Sequence, residues 1–102
     1  MIKILGIDPG SINTGYGIIE SKGNHNKHIK NGIIKVKGNT LGEKLKIINT
    51  NVIKIIEEFQ PDEIAIEKVF MHRNADSALK LGQARGAAIT ACAMNDLPLF
   101  EY

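Results

Sequence analysis

Apolar residues fall first in short alternating, β-branched runs and later at helical spacing. Residues 2–7 form a β-branched run closed by Asp8-Pro9-Gly10, which predicts a buried strand followed by a turn. Residues 16–20 and 29–36 are further β-rich runs separated by the polar SKGNHNKH, so the first third of the chain reads as a three-stranded meander. Thr40-Leu41-Gly42-Glu43 then has the spacing of a capping box, in which hydroxyl and carboxylate satisfy one another's backbone donors. Leu41, Leu45, Ile48, Val52, Ile55 and Phe59 follow at steps of four and three, a continuous stripe for a helix that Pro61 ends. In DEIAIEKVF (62–70), Ile64 and Ile66 alternate with Glu63, Ala65 and Glu67, a strand after a helix and hence a parallel crossover. Asn74 is placed to cap a second helix through about Met94, with Ala78, Leu81, Ala88 and Ala91 apolar and Gly82 and Gly86 permitting close approach. LPLFEY (97–102) reads as a fifth strand.

The order strand, strand, strand, helix, strand, helix, strand predicts an α/β fold: a mixed five-stranded sheet, a meander then two parallel crossovers, with helices on its faces. No helix follows the last strand, so part of one sheet face is expected to be uncovered. With 102 residues, 43% hydrophobic and 24% charged, the chain has globular composition and room for one core, not two domains. A domain of this size buries only about two thirds of the surface its unfolded chain exposes, which leaves a thin stability margin and makes a partner subunit or further chain worth considering. No apolar run approaches the roughly 20 residues of a membrane span, and residue 1 leads directly into a strand pattern, so no membrane association is expected and the cytoplasm is the expected location. The lone Cys92, in an alanine-rich helical stretch, reads as a small buried side chain.

Charge is unevenly spread. Residues 22–56 hold eight lysines against Glu43 alone, while from Glu57 onward four basic residues face eight acids. Such a basic stretch could follow a phosphate backbone, or could be a plain solvated surface. His25, His28 and His72 have no metal-ligand spacing and read as surface residues.

Asp8 closes the first strand and Glu67 lies near the end of the fourth. If those strands are neighbours, both carboxylates emerge where open α/β sheets place ligands, and two such acids suit a hard cation such as Mg²⁺. On the residues alone, Asp8 is equally a turn former before Pro-Gly and Glu67 an exposed acid at a strand end.

GIDPGSINTGYGII (6–19), PDEIAIEKVF (61–70) and NADSALKLGQARGAA (74–88), with LPLFEY following, resemble in order and spacing the N-terminal portion of the RuvC family of bacterial Holliday junction resolvases. The resemblance implies a ribonuclease-H-like fold and a homodimeric endonuclease that cuts two strands of a four-way DNA junction symmetrically in recombination and repair. It makes Asp8 and Glu67 catalytic ligands of Mg²⁺, with two ions per subunit roughly 3.5–4 Å apart that activate a water and stabilise the leaving oxygen, giving a 5′-phosphate and a 3′-hydroxyl. Phe70 falls on an aromatic that stacks on a base near the junction, with a core phenylalanine as the competing reading. Lys68 and Arg73 flank it as candidate phosphate contacts, or as solvated charges. The helix from Asn74 resembles the family's dimer-forming helix, against simple packing on its own sheet, and a branch-migration helicase complex is implied as a partner.

The family pattern also calls for two acids spaced Asp-x-x-Asp on a C-terminal helix, and for basic DNA-contacting residues beyond the fifth strand. This sequence has neither, so residues 1–102 read as a single ribonuclease-H-like nuclease domain without its C-terminal helices, whose two carboxylates would hold metal weakly. Two alternatives remain: an actin-like or sugar-kinase-type ATP-binding domain, in which the Gly10 to Gly17 hairpin holds phosphate, and a non-catalytic junction-binding dimerisation module.

Overall fold

The computed structural model describes residues 1–68 and 74–102. The elements run β1 (Ile2–Asp8), β2 (Asn13–Lys22), β3 (His25–Lys35), α1 (Leu41–Phe59), β4 (Glu63–Ile66), α2 (Ala75–Met94) and β5 (Leu99–Glu101). They build one sheet in the order β3-β2-β1-β4-β5. β1 and β2 are antiparallel, as are β2 and β3, while β4 runs parallel to β1 and β5 parallel to β4. The expected meander with two parallel crossovers is therefore present.

Register decides which side chains meet the helices. Leu5 pairs with Ile18 and Ile64, and Ile7 with Tyr16 and Ile66, so these residues share one face. There they form a single core with Ile34 and Val36, with Ile48, Val52 and Ile56 of α1, and with Ala84, Ala88, Ala91 and Cys92 of α2. Both helices lie on this one face and touch each other, where the Asn49 amide donates to the Ala87 carbonyl (3.0 Å) and the Thr90 hydroxyl (3.2 Å). Alanines at the α2 contact let that helix approach closely. The opposite face has Ile4, Gly6, Asp8, Gly15, Gly17, Asn31 and Ile33, none of them buried. Neither α1 nor α2 covers this face.

α1 starts where the capping box requires: the Glu43 amide donates to the Thr40 hydroxyl (3.1 Å) and the Thr40 amide to the Glu43 carboxylate (3.3 Å). The apolar stripe differs in detail from its sequence pattern. Ile56 rather than Ile55 completes the buried row, and Leu41, in the first turn, is 52% exposed. Asn74 caps α2 as expected, accepting from the Ser77 amide (2.8 Å).

The strands β2 and β3 are longer than the apolar runs that announced them. SKGNHNKH comprises the end of one strand, a two-residue turn with Gly23 at φ 59°, and the start of the next. Residues 22–28 are exposed on both sides, so neither strand shows the alternation that burial imposes. The tip lies beside Ile2, at the opposite end of β1 from Asp8.

Candidate metal centre

Asp8 is the last residue of β1, and the turn after it is built to leave abruptly. Pro9 has no N–H to continue the ladder. A Cβ on Gly10 would lie 2.1 Å from the Asn13 carbonyl oxygen, so only glycine fits. Thr14, fully buried, locks the loop from inside: its hydroxyl accepts from the Gly10 amide (3.3 Å) and donates to the Gly10 carbonyl (3.0 Å).

Glu67 follows β4 by one residue. Because Ile7 pairs with Ile66, the next residues of the two strands, Asp8 and Glu67, come side by side on the open face. The Glu67 amide donates to the Ile7 carbonyl (3.3 Å) and the Lys68 amide to the Tyr102 carbonyl (2.9 Å), so the segment is held from both neighbouring strands. The two carboxyl groups are close enough to share a hydrogen bond. That bond, then the negative charge of Asp8, then slight desolvation raise the Glu67 carboxyl above its ordinary value. Two acids competing for one proton form a site of unbalanced negative charge, which a cation neutralises. Around Asp8 the open face is a shallow depression of about 710 Å³ with Gly6, Gly15, Gly17, Asn31 and Tyr102 in its lining.

Among the described residues no group of three or more His, Cys, Asp or Glu side chains converges, which leaves Asp8 and Glu67 as a pair. Their donors are carboxylate oxygens only, the set that fits a hard divalent cation such as Mg²⁺. Lys68 is exposed one residue further on, near enough for its charge to add to Arg85 in lowering the Glu101 carboxyl. Phe70, Arg73 and His72 lie outside the described residues. His25 and His28 sit exposed at the hairpin, remote from Asp8. The lysine stretch is divided by the fold: Lys22, Lys27 and Lys30 belong to the hairpin and Lys44, Lys46 and Lys54 to α1, while Lys35 ends β3 on the Asp8 side. Lys30, Lys35 and Lys54 nonetheless line one depression between β3 and α1.

Sequence reasoning missed Arg85. From α2 its Nε donates to the Glu67 carbonyl (3.2 Å) and its Nη2 pairs with the Glu101 carboxylate of β5 (2.5 Å). A charged residue inside a helical pattern announces no partner on strands eighteen positions before and sixteen after it.

The family described as crossover junction endodeoxyribonuclease RuvC matches residues 4–102. The chain belongs to the RuvC family. It is 54% identical over all 102 residues to the RuvC of Hahella chejuensis, and 57% identical over 102 residues to that of Citrobacter koseri, covering 59% of each. It thus spans about three fifths of the length of the curated RuvC relatives it matches. Among solved structures it superposes on Thermus thermophilus RuvC in complex with Holliday junction substrate with a TM-score of 0.93 at 27% identity, covering the whole chain and 63% of that one. At the level of fold alone the likeness extends to the yeast mitochondrial resolvase Ydc2 (TM-score 0.67, 11% identity, 97% of this chain and 52% of that one). Family membership, rather than the sheet, separates RuvC from the ATP-binding reading, since sheets of this kind recur in proteins of other families.

Proposed function

We propose that residues 1–102 form a nuclease domain of a Mg²⁺-dependent endonuclease that resolves four-way DNA junctions by symmetric strand cleavage. The single observation that carries this reading is the contact of the Asp8 and Glu67 carboxyls on the open face, at the ends of adjacent parallel strands. The junction-bound RuvC relative supplies the substrate class, and RuvC membership supplies the reaction.

In this reading Asp8 and Glu67 hold the metal, two ions per subunit in the complete site, while the glycine-rich floor beside them admits the DNA backbone without a side chain in the way. When bound, Mg²⁺ activates the attacking water and offsets charge on the scissile phosphate and leaving oxygen. The turn at Pro9 and Gly10 orients Asp8, and the ladder bonds of Glu67 and Lys68 orient Glu67, so both carboxylates are aimed before substrate arrives. Lys68 and Arg73 contact phosphates. Phe70 stacks on a base beside the junction, worth about 1–3 kcal/mol.

The active form is a homodimer built on α2. Among the described residues a Cβ at Gly82 or Gly86 would meet nothing within 4 Å, so neither glycine serves packing against them. The groove between α1, α2 and the β1–β2 loop is lined by Ile12, Leu41 and Leu79, which are 77%, 52% and 60% exposed. Both features support approach by a second copy. A branch-migration helicase complex is the further partner, and the cytoplasm the place of action; among the described residues no helix is long and apolar enough to cross a membrane.

Incubation of the chain, completed to the length of its RuvC relatives, with a synthetic four-way junction and Mg²⁺ is expected to give paired symmetric nicks, reduced about a thousandfold or more by Asp8→Asn or Glu67→Gln with junction binding retained, while residues 1–102 alone cut weakly for want of the C-terminal acids. Cleavage that survives Asp8→Asn overturns the metal assignment. Binding with no cleavage by the completed chain identifies a junction-binding module instead.

A further inference from the structure

Beyond Asp8, the β1–β4 ladder meets a chemical obstacle. In a parallel pair, the N–H of the residue after Asp8 would donate to the Glu67 carbonyl, but that residue is Pro9. The carbonyl of a candidate metal ligand is thus left without its ladder donor. The Arg85 Nε supplies one at 3.2 Å, from a side chain only 17% exposed. The same guanidinium holds Glu101 on β5, and a planar fork can serve two acceptors in fixed directions where an ammonium cannot.

We propose that Arg85 is a positioning residue for Glu67: it replaces the missing Pro9 donor, fixes the peptide after Glu67 and so aims the Glu67 carboxylate at Asp8. Through Arg85 the site is tied to α2. The role in metal binding rests on the reading of Asp8 and Glu67 as ligands; the role in fixing the backbone does not.

The test uses Arg85→Gln, Arg85→Lys and Glu67→Gln in the full chain, with two readouts. Amide hydrogen exchange without metal is expected to quicken about tenfold at Glu67 and Lys68 in Arg85→Gln, with α1 amides unchanged. Mg²⁺ affinity by calorimetry is expected to fall about tenfold, as is typical when a group supporting a ligand is removed. Arg85→Lys keeps a charge for Glu101 but has no Nε donor, so it should show most of both effects; a residue that only tethers α2 to β5 would be rescued by lysine. Arg85→Lys also serves if Arg85→Gln does not fold. Exchange and Mg²⁺ affinity within twofold of the parent in these variants overturn the proposal. Mg²⁺ affinity unchanged in Glu67→Gln, with exchange still quickened in the Arg85 variants, overturns the metal reading and leaves Arg85 as the anchor of that peptide.

Discussion

The two faces of the sheet are made by the same strands yet differ in kind. Toward the helices β1 presents Leu5 and Ile7, 0% and 1% exposed, and β2 presents Thr14 and Ile18, both at 0%. Toward the other side the same strands present Ile4, Gly6 and Asp8, and Gly15, Gly17 and Ile19, none buried. One face holds the aliphatic volume that keeps the chain folded. The other sets two acids beside glycines and only partly covered isoleucines. Stability and chemistry are thus divided by the strand's period of two, so the acid pair sits one peptide away from the core without putting a charge into it.

The sharpest way to break this comparison is to truncate matched positions on the two faces. Leu5→Ala is expected to destabilise by about 2–5 kcal/mol, as for other buried leucines, and Ile19→Ala by less than about 1 kcal/mol, read from denaturant midpoints. Equal losses would mean that the open face contributes to the core as much as the helical one. A smaller effect of opposite sign is expected on α2. Gly82→Ala should stabilise the isolated chain by about 1 kcal/mol, because an alanine methyl there meets nothing and helix propensity improves, while weakening self-association measured by ultracentrifugation.

The smallest effect is on pH dependence. Because Asp8 raises the Glu67 carboxyl, the folded chain holds that proton more tightly than the unfolded one. Its stabilising contribution is present below the ordinary value and is lost as pH rises through the folded one. Glu101 works in the opposite sense: Arg85 lowers its carboxyl, so its contribution is present above the ordinary value and is lost on acidification. Without divalent cation, Glu67→Gln should therefore gain stability relative to the parent as pH rises through and above the carboxylate range, and Mg²⁺ should remove the difference.

How far these features could be read from the sequence depended on how local their causes are. α1 was legible at both ends because its cap, stripe and stop lie within one stretch of chain. Asp8 and Glu67 were legible as strand ends, and the resemblance to RuvC joined them; their contact follows from the Ile7–Ile66 register. The β2–β3 pair was legible as part of a meander, but its strands run further toward their turn than the apolar runs did, because exposure of both sides there erases alternation. Thr14 and Arg85 gave no signal, since each acts through backbone groups that the fold brings to it. Phe70 and Arg73 lie outside the described residues, and their roles rest on the resemblance.

The metal-site reading stands on Asp8 and Glu67 sharing one site. Carbon-13 titration of the Glu67 side-chain carboxyl, in metal-free parent and in Asp8→Asn, measures it directly. A shared site gives a midpoint above the ordinary glutamate value in the parent that falls back when Asp8 is replaced. A Glu67 midpoint that is the same in both would contradict it.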